Sequence, residues 1–152
     1  FHLAKALAAM PVPAGNRVSF LSPSGAFTVC MTDYCRAMGL EVPQLEENTR
    51  KRLQKFAPPF IRMRNPVDIF GSAGLVGYEK AYGDALDAVL SDRNIDAAVV
   101  IMMLTTESGS YLGTRFGESV DLRLESDLEH LLARLEPVVD RAARWCSSSR
   151  ST

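Results

Sequence analysis

Val18-Ser19-Phe20-Leu21-Ser22-Pro23-Ser24-Gly25-Ala26-Phe27-Thr28-Val29, VSFLSPSGAFTV, changes character in its middle. An apolar run from Arg17 to Leu21 reads as a strand, carrying Val18, Phe20 and Leu21. It stops in a Ser-Pro-Ser-Gly turn. From Ala26 to Met38 the apolar residues Phe27, Cys30, Met31, Tyr34 and Met38 then recur at the helical period, and Gly39 is a natural stop. A strand that hands over to a helix through small residues is how a βαβ unit begins.

Downstream the alternation repeats. Leu40 to Val42 reads as a weak strand, and Asn48 to Phe56 as a charged helix ended by Pro58-Pro59. Asn65 to Phe70 starts as a short strand and leads into a small-residue loop, Gly71-Ser72-Ala73-Gly74. Tyr78 to Leu90 is strongly amphipathic, with Tyr78, Tyr82, Ala85, Leu86 and Val89 on one stripe. Ala97 to Leu104 (AAVVIMML) is apolar without alternation, the mark of a strand buried on both faces. The fold class expected is α/β, a flavodoxin-like doubly wound parallel sheet in which the last strand is unaccounted for.

Residues 1–16 read as a linker and helix from an upstream domain, 17–144 as the α/β domain, and 145–152 as a disordered tail. Leu122 to Arg144 reads as one long helix with Leu124, Leu128, Leu131, Leu135, Val138 and Val139 on its buried side and a bend at Pro137.

The chain has 152 residues, 47% hydrophobic and 23% charged, with a net charge of -1. That balance gives no motive for nucleic acid as a partner. No apolar run approaches the roughly 20 residues that span a bilayer, so no membrane is expected. Three cysteines, Cys30, Cys35 and Cys146, form no paired framework. They read as small buried residues in a reducing, cytoplasmic protein. With only His2 and His130 beside them, no metal site is expected.

In a parallel sheet the turns Ser22 to Gly25, Gly71 to Gly74 and Thr105 to Gly109 share one edge. Ser24 suits a helix N-cap, and the free N–H groups of Gly25, Ala26 and Phe27 would make an anion site with the helix dipole. Neither a dinucleotide fingerprint nor a P-loop is present, and Ser22 and Ser24 lack a nucleophile-elbow context. No residue is expected to be catalytic.

PVPAGNRV at Pro11 to Val18, the Ser-Gly turn, Gly39-Leu40-Glu41-Val42-Pro43, Asn65-Pro66-Val67-Asp68 and AVLSDRNIDAAVVIMML at Ala88 to Leu104 occur in a characteristic order. Over roughly Phe1 to Ser108 the chain resembles a ligase domain of the NDP-forming acyl-CoA synthetases, the superfamily of succinyl-CoA synthetase. The resemblance implies a flavodoxin-like domain that works beside a CoA-binding Rossmann domain and an ATP-grasp domain, where a phosphohistidine carries phosphate. It implies that the turn Ser22 to Ala26 aims a helix N-terminus at that phosphohistidine, and that Asn65, Asp68, Gly71 and Ser72 form a second loop at the same edge.

The phosphohistidine loop of that family would lie upstream of Phe1, and the residues from Gly109 onward do not match it. The chain is therefore expected to be inactive alone and to bind no cofactor by itself, while its parent enzyme uses CoA, ATP or GTP, and Mg. The alternative is a non-catalytic interaction module that forms homo-oligomers through a missing edge strand or the Leu122 to Arg144 helix. A third reading, a flavin-binding flavodoxin, calls for a phosphate loop richer in Ser and Thr.

Overall fold

The computed structural model describes residues 12–102 without a break, together with 4, 5, 8, 133 and 135–137. Within residues 12–102 seven elements follow in order. They are β1 (Val18–Ser22), α1 (Gly25–Ala37), α2 (Glu47–Gln54), β2 (Val67–Asp68), α3 (Phe70–Val76), α4 (Tyr78–Leu90) and β3 (Ala97–Val100). The three strands form a parallel sheet in the order β2-β1-β3.

β1 is the centre of this sheet, and all five of its residues are buried. Its alternation sends successive side chains to opposite faces. Phe20 and Val18 meet Cys35, with Met31, Leu40 and Val42 packed around them, so α1 covers that face. Leu21 joins Val67, Ile69, Leu53, Tyr82, Leu86 and Val89 in the larger cluster on the other face, under α2 and α4. Helices on both faces make the sheet doubly wound, as the sequence implies. Burying Phe20 and Leu21 fully is worth about 1.5–3 kcal/mol each.

The β2 side of β1 is built in two pieces. Near the start of β1, Arg17 bridges Glu41 in parallel, which is what remains of the strand expected at Leu40 to Val42. Near its end, Leu21 and Ser22 pair with Val67 and Asp68. Asn65 fills the gap between them. Its amide donates to the carbonyls of Val18 and Pro43, both at 2.9 Å.

Asp92 is 2% exposed and ties α2 to the turn after α4. Its carboxylate accepts from the backbone N–H of Glu46 and of Asn94, each at 2.8 Å. An anion at the start of α2 is also favoured by the helix dipole.

Several expectations are corrected. The Gly71 to Gly74 stretch is helix α3 and not a loop. The N–H of Ala73 bonds the Ile69 carbonyl at 2.8 Å, and that of Phe70 bonds the Asp68 carboxylate at 3.0 Å. The small residues serve close packing here: a side chain at Gly71 would lie 2.6 Å from Ile61. β3 is not buried on both faces either. Only β1 pairs with it among the described residues, and Val99 is 41% exposed. Of the two described cysteines, Cys35 is buried but Cys30 is exposed, because it points away from the sheet.

No strand after β3 lies among the described residues. The opening helix, the Thr105 to Gly109 turn and Cys146 fall largely or wholly outside them. The same is true of the Leu122 to Arg144 helix, except that residues 133 and 135–137 are helical and Leu135 is buried in the larger core.

Candidate functional site

The carboxyl ends of β1 and β2 lie side by side, with Ser22 opposite Asp68. The chain after each strand enters a helix, so the starts of α1 and α3 share this edge. Ser22 is fully buried, and its hydroxyl accepts from the Ser24 N–H at 3.1 Å, which braces the turn from within. Ser24 is the N-cap of α1, in extended backbone conformation, and accepts from the Phe27 N–H at 3.4 Å. The Gly25 and Ala26 amides, one turn ahead of any intrahelical acceptor, have no partner among the described residues.

Asp68 faces this helix start. A Cβ added at Gly25 would lie 2.7 Å from Asp68 Oδ2, so a side chain there would displace that carboxylate from the helix start. Oδ1 of the same carboxylate is held by the Phe70 N–H. A positive helix end and a carboxylate thus stand next to each other, and the edge is dipolar rather than a plain anion cradle.

Of the residues singled out from sequence, Ser22, Ser24, Gly25, Ala26 and Asp68 are brought together. Gly71 packs against Ile61 and Pro58. Ser72 is 1% exposed in α3, and its hydroxyl has no partner among the described residues. Asn65 sits further down the sheet, where its amide closes the gap described above, and its Oδ1 is buried without a partner.

Sequence reasoning passed over the segment before β2. Phe60, Ile61, Arg62, Met63, Arg64, Pro66 and Asp68 line an open groove, and from Arg62 to Ile69 exposure alternates, with Met63, Asn65, Val67 and Ile69 buried. That period-2 pattern was visible in the sequence as alternating arginine and apolar residues. At the opposite, amino end of the strands, Arg17 Nε and Nη2 donate to the Asp96 carboxylate at 2.8 and 2.7 Å. The guanidinium holds Asp96 below the usual carboxylate range. This pair fastens β1 to β3 away from the candidate site.

Among the described residues no group of three His, Cys, Asp or Glu is placed to hold a metal, and no helix is long and apolar enough to cross a membrane.

In a parallel, doubly wound sheet the carboxyl edge, where the helix starts gather, is the place at which ligands are generally bound. The known proteins that this chain resembles are ligases. It is 33% identical over 99 residues to the alpha subunit of ADP-forming acetate–CoA ligase II of Pyrococcus furiosus, covering 65% of this chain and 21% of that one. It is 28% identical over 99 residues to ADP-forming acetate–CoA ligase II of Archaeoglobus fulgidus, covering 65% and 15%. No family model matches the chain.

Among solved structures, one from Pyrococcus horikoshii OT3 superposes with a TM-score of 0.56 at 23% identity, over 88% of this chain and 36% of that one. The acetyl-coenzyme A synthetase 1 of Ca. Korarchaeum cryptofilum, in complex with phosphate and ADP, gives 0.55 at 22% over 95% and 37%. The two structures show the same fold. Together with the ligase relatives they are consistent with a domain of the NDP-forming acyl-CoA synthetase family. The chain spans about a fifth or less of the length of these curated relatives.

Proposed function

We propose that this chain supplies the flavodoxin-like domain of an NDP-forming acyl-CoA synthetase, and that the start of α1 faces a phosphohistidine presented by a neighbouring domain. The observation that carries this reading is the pair of unpartnered amides, Gly25 and Ala26, capped by Ser24 beside Asp68 at the carboxyl edge. Amides fixed in place need no reorganisation when charge arrives, which is what makes them effective during phosphoryl transfer.

In this reading the phosphoryl oxygens meet the Gly25 and Ala26 amides and the Ser24 turn. Asp68 Oδ2 accepts the N–H of the incoming imidazole, so the dipolar edge matches a group that carries both a donor and an anion. Ser22, Asn65, Gly71 and Ser72 act from behind by fixing the loops. The parent enzyme would use CoA, ATP or GTP, and Mg, with CoA-binding and ATP-grasp domains or subunits as partners, in the cytoplasm. In this reading the chain alone does not complete the reaction, because the phosphohistidine comes from the neighbouring domain.

The test titrates the full chain with phosphoimidazole while the backbone amide resonances are followed by NMR. Selective shifts at Gly25 and Ala26, absent with imidazole alone, are expected. Unchanged amides at saturating ligand would overturn the assignment. Gly25→Val, whose side chain would meet Asp68, is expected to abolish the shifts while α4 and β3 keep their spectra.

A further inference from the structure

We infer that α3 is a strap that opens as a unit, hinged after Ile69 and at Gly77, and that it fixes Asp68 at the candidate site only while it is wound. Its sequence, FGSAGLV over Phe70–Val76, suits a helix poorly, because each interior glycine makes helix formation about fivefold less favourable than alanine does. The helix is also inside out. Ser72 and Ala73 are its buried residues, whereas Phe70 and Leu75, on the opposite side at the helical period, are each 63% exposed. The Ser72 hydroxyl is buried with no partner among the described residues, a cost that unwinding into water would relieve. Opening therefore exposes little apolar surface, in contrast to α4 with its seven buried residues. Elements held this weakly are the ones that open locally.

Both ends fit a hinge. Ahead of the strap, the Ile69 N–H donates to the Ser22 carbonyl at 2.9 Å and stays with the sheet. Behind it, Gly77 has a φ of 83°, in the left-handed region, and a Cβ added there would meet no atom within 4 Å. Its carbonyl already accepts the first bond of α4, from the Ala81 N–H at 3.0 Å. What keeps the strap closed is the seat of Gly71 on Ile61 and Pro58 and the bond from the Phe70 N–H to Asp68 Oδ1. The same carboxylate presents Oδ2 to Gly25, so unwinding α3 releases the acceptor half of the dipolar edge. A helix that contradicts its local propensity beside a candidate site is where function is expected to be built in.

Native-state hydrogen exchange of the full 152-residue chain without ligand, followed by NMR, tests this. The Ala73 and Gly77 amides, bonded to the Ile69 and Ala73 carbonyls, are expected to exchange at least about a hundredfold faster than those of Leu86 and Val89 in α4. Gly74→Ala, at a position with open space around it, should slow both by about fivefold. Asp68→Ala, which removes the acceptor of the Phe70 N–H, should speed both by about the same factor. Protection of α3 equal to that of α4, or unlike responses at Ala73 and Gly77, would overturn the strap. Its link to the site rests on the phosphohistidine reading: phosphoimidazole at about ten times its dissociation constant should slow α3 exchange by about tenfold. Shifts at Gly25 and Ala26 with unchanged α3 exchange would overturn the link while that reading stands. Absent shifts would overturn the reading and the link with it, and the rates without ligand would still decide the strap.

Discussion

α1 and α4 are both 13 residues long and both carry an apolar stripe, yet they use it differently. α4 buries seven residues, among them Tyr82, Ala85, Leu86 and Val89. α1 buries only Thr28 and Cys35, and leaves Phe27, Val29 and Tyr34 between 42% and 63% exposed. The sheet explains the contrast. α4 lies over Leu21, Val67 and Ile69 and shares its core with α2, whereas α1 covers only the narrow strip of Val18 and Phe20. A helical period shows that a face exists, but the width of what lies opposite decides how much of it is covered.

The largest expected consequence is on α4. Tyr82→Ala removes a ring that is 1% exposed and a hydroxyl that donates to the Ile101 carbonyl at 2.8 Å. It should cost about 3–5 kcal/mol in urea unfolding. A loss under about 1 kcal/mol would show that α4 is not the anchor that its burial implies.

An intermediate effect is expected at the amino ends of the strands. Arg17 depresses the pKa of Asp96 below its ordinary 3.8. A depressed carboxylate adds stability that is fully present above the unfolded value and is lost as pH falls through the folded one. Wild type should therefore weaken below about pH 4, and Asp96→Asn should lose that increment at neutral pH and show a flatter acid limb. An Asn variant with the wild-type acid profile would remove this pair from the stability of the sheet.

The smallest effects belong to α1. Tyr34→Ser, at a residue 63% exposed, should change stability by no more than about 0.5 kcal/mol. In a Cys146→Ser background, a thiol reagent should label Cys30 in the native chain and leave Cys35 protected until unfolding. Protection of Cys30, or a cost above about 1 kcal/mol for Tyr34→Ser, would mean that something covers the α1 stripe in solution and would erase the contrast with α4.

Much of the fold could be read from the chain because its elements are local. Val18 to Val29 announces a strand, a cap and a helix within reach of a few residues, and Tyr78 to Leu90 carries enough periodic burial to be unmistakable. α3 was missed because glycine and serine suggest a loop. What makes them helical is the contact of Gly71 with Ile61 and Pro58 and the bond from Phe70 to Asp68. The candidate site was legible in part for the same reason. Ser24 caps its own helix, whereas the approach of Asp68 to Gly25 joins residues far apart in sequence.

By itself the sequence determined the alternation of strands and helices, the capped start of α1 and the resemblance to a ligase domain, since each rests on short-range pattern or residue order. Only the tertiary structure decided that β1 lies between β2 and β3 among the described strands and that β3 is only partly buried. It also set Asp68 against a helix start and brought Arg62 and Arg64 to one groove beside it. Those outcomes depend on which surfaces meet across the sheet, and pairing between distant segments leaves no local signature in the chain.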